Sequence, residues 1–284
     1  MLDPQPLMSG LVVGESPRWH DGRLWFSNWG AQEIMAVDVK GNSEVMVRVP
    51  TTIPFCFDWL PDGRMLVVSG PEALVLRVEP DGTLVTLADL GGLAAGLNEI
   101  VVDGRGNAYV NGGDFDFETG EGAESGIVAL VRPDGSVRQV AEGIVFGNGM
   151  AVTPDNSTLI VAESWARRLS AFDIAEDGGL SNRRVWADLG DDPPDGICVD
   201  AEGAVWYGTV PNKRCVRVRE GGEVLQSIDT DLACFACMLG SEDNKTLFIM
   251  AAEWPGLENM GVLFESHTGE VLTVGAPAPG VGWP

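Results

Sequence analysis

Two carboxylates and two carboxamides stand at matching places along this chain. Glu15 lies in GESPRW, Asn98 in GLNEIVVD, Asn148 in FGNGMAVTPD and Asp195 in PPDGICVD, each just ahead of an apolar run. Such oxygen donors suit a hard divalent ion, Ca²⁺ foremost and Mg²⁺ or Mn²⁺ next, better than they suit a thiolate-bound metal. A lone Asn-Gly or Asp-Gly is ordinarily a turn; recurrence in phase sets these apart. An ion held there would polarise a carbonyl or phosphoryl oxygen and acidify a bound water. Asp195 then becomes the candidate base, or alternatively a nucleophile. Glu99 is placed to orient Asn98 and, with it, to contact substrate. The only histidines are His20, in a turn, and His267, in a segment that reads as an outer hairpin, so a Ser-His-Asp arrangement is not expected.

The elements that must position these residues repeat. The strands RLWFSN, RMLVVSG, NAYVNG, TLIVAE, AVWYGT and TLFIMA carry Trp25, Leu66, Tyr109, Ile160, Trp206 and Phe248 at steps of 41, 43, 51, 46 and 42 residues, the period of four-stranded propeller blades. Ahead of those markers sit Glu15, Cys56, Asn98, Asn148, Asp195 and Cys237. A second series, including LVLRVEPDGTLVTLADL, GIVALVRPDGSVRQVAEG and GVLFESHTGEVLTVG, supplies an outer hairpin per cycle through Gly-containing turns. The expectation is an all-β, six-bladed β-propeller with four-stranded blades around a central channel, forming one domain over residues 1–284. Ring closure removes the exposed sheet edge, and the segment before Gly14 can add a strand to the last blade within the limits set by Pro4 and Pro6. Trp29, Phe115, Trp165 and Trp254 fall in turns on the same face as the oxygen residues, as does the long insertion GGDFDFETGEGAES, a candidate lid. Cys56 and Cys237 hold the equivalent places in cycles two and six, as apolar filler. Arg167 and Arg168 follow Trp165 on that face, within reach of an anionic substrate or a surface acid.

Composition narrows the partners. With 18 basic and 42 acidic residues the formal net charge is −24, which disfavours nucleic acid. No run approaches the roughly 18 apolar residues of a membrane span. Five cysteines, an odd number scattered through apolar strands, argue against a disulfide framework. The N-terminus, MLDPQPLMSG, lacks the layout of a signal peptide, and a cytoplasmic location is expected.

GESPRW, FGNGMAVTPDNSTLIVAES and PDGICVDAEGAVWYG together resemble signature stretches of the senescence marker protein/gluconolactonase/luciferin-regenerating enzyme (regucalcin-like) family, across essentially the whole chain. The resemblance implies a six-bladed propeller with one divalent cation in its channel. By motif it implies that Glu15, Asn148 and Asp195 are metal ligands, with Asp195 also the catalytic base. Asn98 matches the Asn that meets substrate, or metal through water. Sugar-lactone members carry Arg-x-Asn-Asp where this chain reads Gly96-Leu97-Asn98-Glu99. Loss of that Arg, a rigid fork of donors, points to a less polar substrate, in keeping with Trp29, Trp165 and Trp254. The likeness extends to the calcium-dependent diisopropylfluorophosphatase group, whose active-site histidine has no counterpart here.

The expected activity is therefore hydrolysis of a small-molecule lactone or ester with one divalent cation, Zn²⁺ being a further alternative to the three ions above. The rivals are phosphotriester hydrolysis with Asp195 as nucleophile, and a propeller that binds metal or ligand without catalysis.

Overall fold

Each of the six expected cycles folds into one antiparallel four-stranded sheet. The structure is a computed structural model and describes residues 3–51, 53–115 and 121–281. Blade one comprises Val13–His20, Arg23–Trp29, Glu33–Val37 and Ser43–Arg48. Blades two to five repeat that order, with inner strands Phe55–Trp59, Gly96–Val102, Gly147–Val152 and Ile197–Val199. Blade six takes Ala233–Gly240, Thr246–Ala252 and Gly269–Gly275 from the C-terminal part, and its outermost strand, Gln5–Leu11, from the N-terminal part. The ring is thus closed by backbone hydrogen bonds between the chain's two ends. The register of Gln5–Leu11 slips after Pro6 and again before Leu11, an irregularity that an edge strand tolerates because one side pairs with nothing.

GVLFESHTGEVLTVG is not the expected outer hairpin: Met260–Glu265 is a short helix and only Gly269–Gly275 is a strand. A short apolar run such as GVLF does not distinguish strand from helix by pattern; tertiary packing decides it. Leu263 is buried against Val13, Ala233, Phe235 and Ala252, so the helix caps one end of the ring. His267 accordingly lies in the link between this helix and Gly269–Gly275, and is exposed.

The period has a packing cause. All six marker residues are buried, Leu66, Tyr109 and Trp206 completely. The apolar clusters lie between neighbouring blades: Val68 and Leu90 with Ile100 and Val110, for instance, and Leu169 and Trp186 with Tyr207 and Val216. Each blade therefore buries its faces only against its neighbours.

Two kinds of turn mark the two ends of the ring. At one end Asx turns link inner to second strands; Asp62, Asp103, Asp155, Asp200 and Asp243 each accept from a backbone N–H two residues on. At the other end blades one, two, four and five share a turn between second and third strands, with Gln32, Ala73, Arg167 and Lys213 at φ between 50° and 57°. The carbonyls of these four residues accept from Val49, Leu90, Leu189 and Thr230, respectively. In blades three and six the same place holds insertions, residues 114–125 and 253–268. These blades are three steps apart in a ring of six.

Candidate functional site

The candidate oxygen residues sit where the inner strands depart from regular pairing. Pairing with the second strand slips between Glu15 and Arg18, between Leu97 and Ile100, and between Gly147 and Met150. Blade two, whose inner strand carries Cys56, pairs without a slip. A bulge re-aims side chains that a regular ladder would send to alternate faces. Asn98, Glu99 and Asn148 lie inside these bulges and Glu15 at the edge of one. Asp195 precedes the short strand of blade five, its N–H donating to Gly208 O at 2.9 Å. The glycine after each of two candidates is required by close approach. A Cβ on Gly149 would meet Ile197 N at 2.6 Å, and one on Gly196 would meet Ala236 Cβ at 2.4 Å.

The structure brings these residues together. The Asn148 side chain lies beside the Asp195 carboxylate, while Asn98 Nδ2 donates to Gly147 O at 3.0 Å. Burial pushes the Asp195 carboxyl up to about 8; the nearby Asn148 carboxamide opposes this and Glu99 adds to it. Glu15, 6% exposed, is raised well above the carboxylate range by burial, then by Asp195 and Glu99, against the Ser16 N–H and Arg18. Asp195 Oδ1 is shielded from solvent and has no hydrogen-bond partner among the described residues. Two acids without a proton or cation between them are costly in such a place.

Beneath them lies a network that the sequence reading did not name. Glu99 accepts from Ser16 Oγ at 3.0 Å, Ile100 N at 2.8 Å and Arg18 Nη2 at 3.3 Å. Its carboxylate is therefore held by these groups rather than by Asn98. Arg18, 4% exposed, also donates to Ile100 O at 2.7 Å and lies 3.9 Å from Asp58. Burial raises the Asp58 carboxyl to about 7, against Arg18 and the N–H groups of Val102 and Trp59. Asn111, wholly buried, joins blades three and four: its Oδ1 accepts from Glu99 N at 3.0 Å and its Nδ2 donates to Asn148 O at 2.6 Å. The signals were present in the sequence. Arg18 is part of GESPRW, and Asp58 is an acid within the apolar strand FCFDW.

Aromatic side chains flank this floor in two groups. Phe146 stacks on Trp165, with centroids 4.7 Å apart and planes at 10°, and meets Phe115 edge-on at 4.7 Å. Opposite them, Trp254 meets Phe235 edge-on at 6.0 Å, and both pack with Trp29 and the cap helix. Trp29 Nε1 donates to Phe55 O at 2.6 Å, so its polar edge braces blade one to blade two. Part of the candidate lid GGDFDFETGEGAES, residues 116–120, lies outside the described residues. Arg168 pairs with buried Glu163 at 3.0 Å, whereas Arg167 meets exposed Asp191 at 3.4 Å. His20 is remote in the expected sense, stacked on Trp59 at 4.1 Å in an inner-to-second-strand turn. Cys56 and Cys237 are buried in apolar clusters.

The model of the SMP-30/gluconolactonase/LRE-like region matches residues 13–253. The chain belongs to this family. Regucalcin of Bos taurus is 25% identical over 274 residues, covering 92% of this chain and 90% of that protein. Among solved structures, a luciferin-regenerating enzyme superposes with a TM-score of 0.82 at 18% identity, covering 99% and 97% of the two chains. A regucalcin from Agrobacterium tumefaciens, described as a calcium-binding protein, gives 0.77 at 17% identity, covering 98% and 97%. At these identities the structural likeness concerns the fold.

Measured against the SMP-30/gluconolactonase/LRE-like family, the donor chemistry fits a hard cation. Among the described residues no three His, Cys, Asp or Glu side chains gather around one point. What gathers is two carboxylates and two carboxamides, with one carboxylate oxygen unsatisfied. That set suits an ion that takes neutral and charged oxygen alike. The family's missing Arg is not forbidden by space: a Cβ at Gly96 would meet only Gly70 O, at 3.8 Å.

Proposed function

We propose that this protein is a divalent-cation-dependent hydrolase of lactones. The observation that carries the proposal is the buried, unbonded Oδ1 of Asp195 beside Glu15 and Asn148. Glu15, Asn148 and Asp195, with Asn98, would hold the cation. Calcium is the ion proposed, on the hard-oxygen donor set and on the description of the Agrobacterium tumefaciens neighbour. When bound, the cation supplies Lewis-acid polarisation of an ester carbonyl.

The remaining roles belong to the chain. Asp195 takes the proton of the attacking water through Oδ1 and returns it to the ring oxygen as the C–O bond breaks. Asn148, beside Asp195, would orient the carboxylate, and Asn111 fixes the Asn148 backbone from beneath. Asn98 and the aromatic groups around Trp165 and Trp254 orient the ring and exclude bulk water. Glu99, tied to Ser16 and Arg18, is the acid set beneath these residues.

The test is hydrolysis of a lactone panel with Ca²⁺ and with chelator. Chelation should abolish turnover, and Asp195→Asn should lower kcat by at least about 100-fold. Full activity in that variant would remove Asp195 as the base. Turnover of phosphotriesters alone would replace the lactone reading.

A further inference from the structure

We propose that the cleft between blades four and five is a subsite for a flat, uncharged apolar substituent that ends in a hydrogen-bond acceptor. The assignment rests on the lactonase reading above and names the substrate class it would serve. The cleft measures about 420 Å³ and is lined by Trp165, Pro193 and Pro211 together with the polar side chains of Ser164, Arg167, Asp191 and Asn212. A volume of that order holds a small organic group.

The blade repeat explains why a cleft forms there. Trp165 and Pro211 each stand two residues before the left-handed residue of the shared turn, Arg167 in blade four and Lys213 in blade five. They form two facing walls. The third side is the segment that enters Asp195, since Pro193 lies two residues before it. Ser164 Oγ donates to Pro194 O at 2.7 Å and pins wall to floor. Buried Asp192 anchors the same segment, accepting from Tyr207 Oη at 2.8 Å, Arg214 Nη2 at 2.7 Å and Asn212 Nδ2 at 2.6 Å. The site is thus held in shape before a ligand arrives.

The lining specifies the ligand. Phe146 stacks on the Trp165 ring and Phe115 meets it at 6.4 Å, but neither lines the cleft, which leaves the cleft-facing part of that indole to a flat guest between two prolines. Arg167 offers donors at the rim. Its contact with Asp191 joins side chains 55% and 99% exposed, and such pairs are worth little, so the guanidinium is available to an acceptor. The net charge of −24 works against an anionic guest. A neutral carbonyl or ether oxygen fits best. With Gly96 in place of Arg, the available guanidinium lies beside the substituent, which selects for a substituted ring over a polyhydroxylated one.

The readout is the ratio of kcat/KM for 5-(4-acetylphenyl)-γ-butyrolactone to that for γ-butyrolactone, in which general damage cancels. The wild type should favour the aryl lactone by at least about tenfold, and Trp165→Ala should remove about that factor. Arg167→Gln should reduce the preference for acetylphenyl over phenyl by about threefold or more. Ratios unchanged in both variants would overturn the subsite. If no lactone is hydrolysed, calorimetry with the 5-(4-acetylphenyl) lactam decides separately. Binding weakened by Trp165→Ala supports the subsite while the lactonase reading falls, and absence of binding overturns the subsite.

Discussion

At neutral pH the cation-free Asp195 carboxyl, pushed up to about 8 by burial, holds its proton, and a cation must displace it. Glu15 and Asp58 are raised as well. For all three the folded state binds protons that the unfolded chain has released above about pH 4. Their contribution to stability is therefore full below that pH; for Asp58 and Asp195 it is lost as pH rises through about 7 and about 8, and for Glu15 as pH rises through its raised value. Chelator-treated protein should have a Tm higher at pH 5 than at pH 8 by about 5 °C or more, measured by calorimetry, and Asp195→Asn should flatten that slope. Saturating Ca²⁺ should flatten it too, because the ion stabilises the ionised carboxylates. A flat cation-free profile would contradict the burial argument. Gly96→Arg tests the departure from the sugar-lactone pattern. Space at that Cβ predicts a folded variant with Tm within about 3 °C of wild type, and a kcat/KM shifted toward polyhydroxylated lactones.

At the scale of elements, function is carried by irregularities in otherwise regular strands. The bulges in blades one, three and four aim oxygen donors inward, while the unbroken inner strand of blade two contributes apolar Cys56 and, lower down, Asp58. The signals for this were Ser16-Pro17, Asn98-Glu99 and Asn148-Gly149, polar or turn-forming pairs within strand patterns. They marked the residues but not the breaks in pairing, which depend on the register of the partner strand. The cap helix shows the same limit, since nothing local in GVLFE favours helix over strand until Leu263 finds Val13 and Phe235. Ring closure makes its own prediction. Truncation of residues 1–11 would unpair the edge of Gly269–Gly275 and remove buried Leu11. Loss of a cooperative thermal transition, with aggregation seen by light scattering, is expected. A truncated protein that melts as the wild type does would show that closure is dispensable.

The whole molecule sets the charge environment. A formal charge of −24 concentrates cations near the ring and opposes compactness through self-repulsion. Raising NaCl from about 20 mM to about 500 mM should therefore raise the cation-free Tm by several degrees while weakening Ca²⁺ affinity by calorimetry. An affinity indifferent to salt would confine the attraction to the oxygen residues themselves. The cap helix Met260–Glu265 covers part of one end of the ring, and the Asx turns leave the other end regular.

By itself the sequence determined the repeat, the six blades, the strand from the N-terminal part and the four in-phase oxygen residues. Apolar periodicity and turn chemistry are local, and a closed ring converts equal spacing in sequence into equal places around an axis. Tertiary structure alone decided what surrounds those residues. Arg18 meets Glu99 and Asp58 across blades, Asn111 links Glu99 to Asn148, Phe146 and Phe235 join the aromatic groups, and neighbouring turns enclose the cleft beside Pro193. Each of these depends on side chains from different blades meeting at the axis or between turns, and the distances between blades are fixed by packing that no single blade encodes.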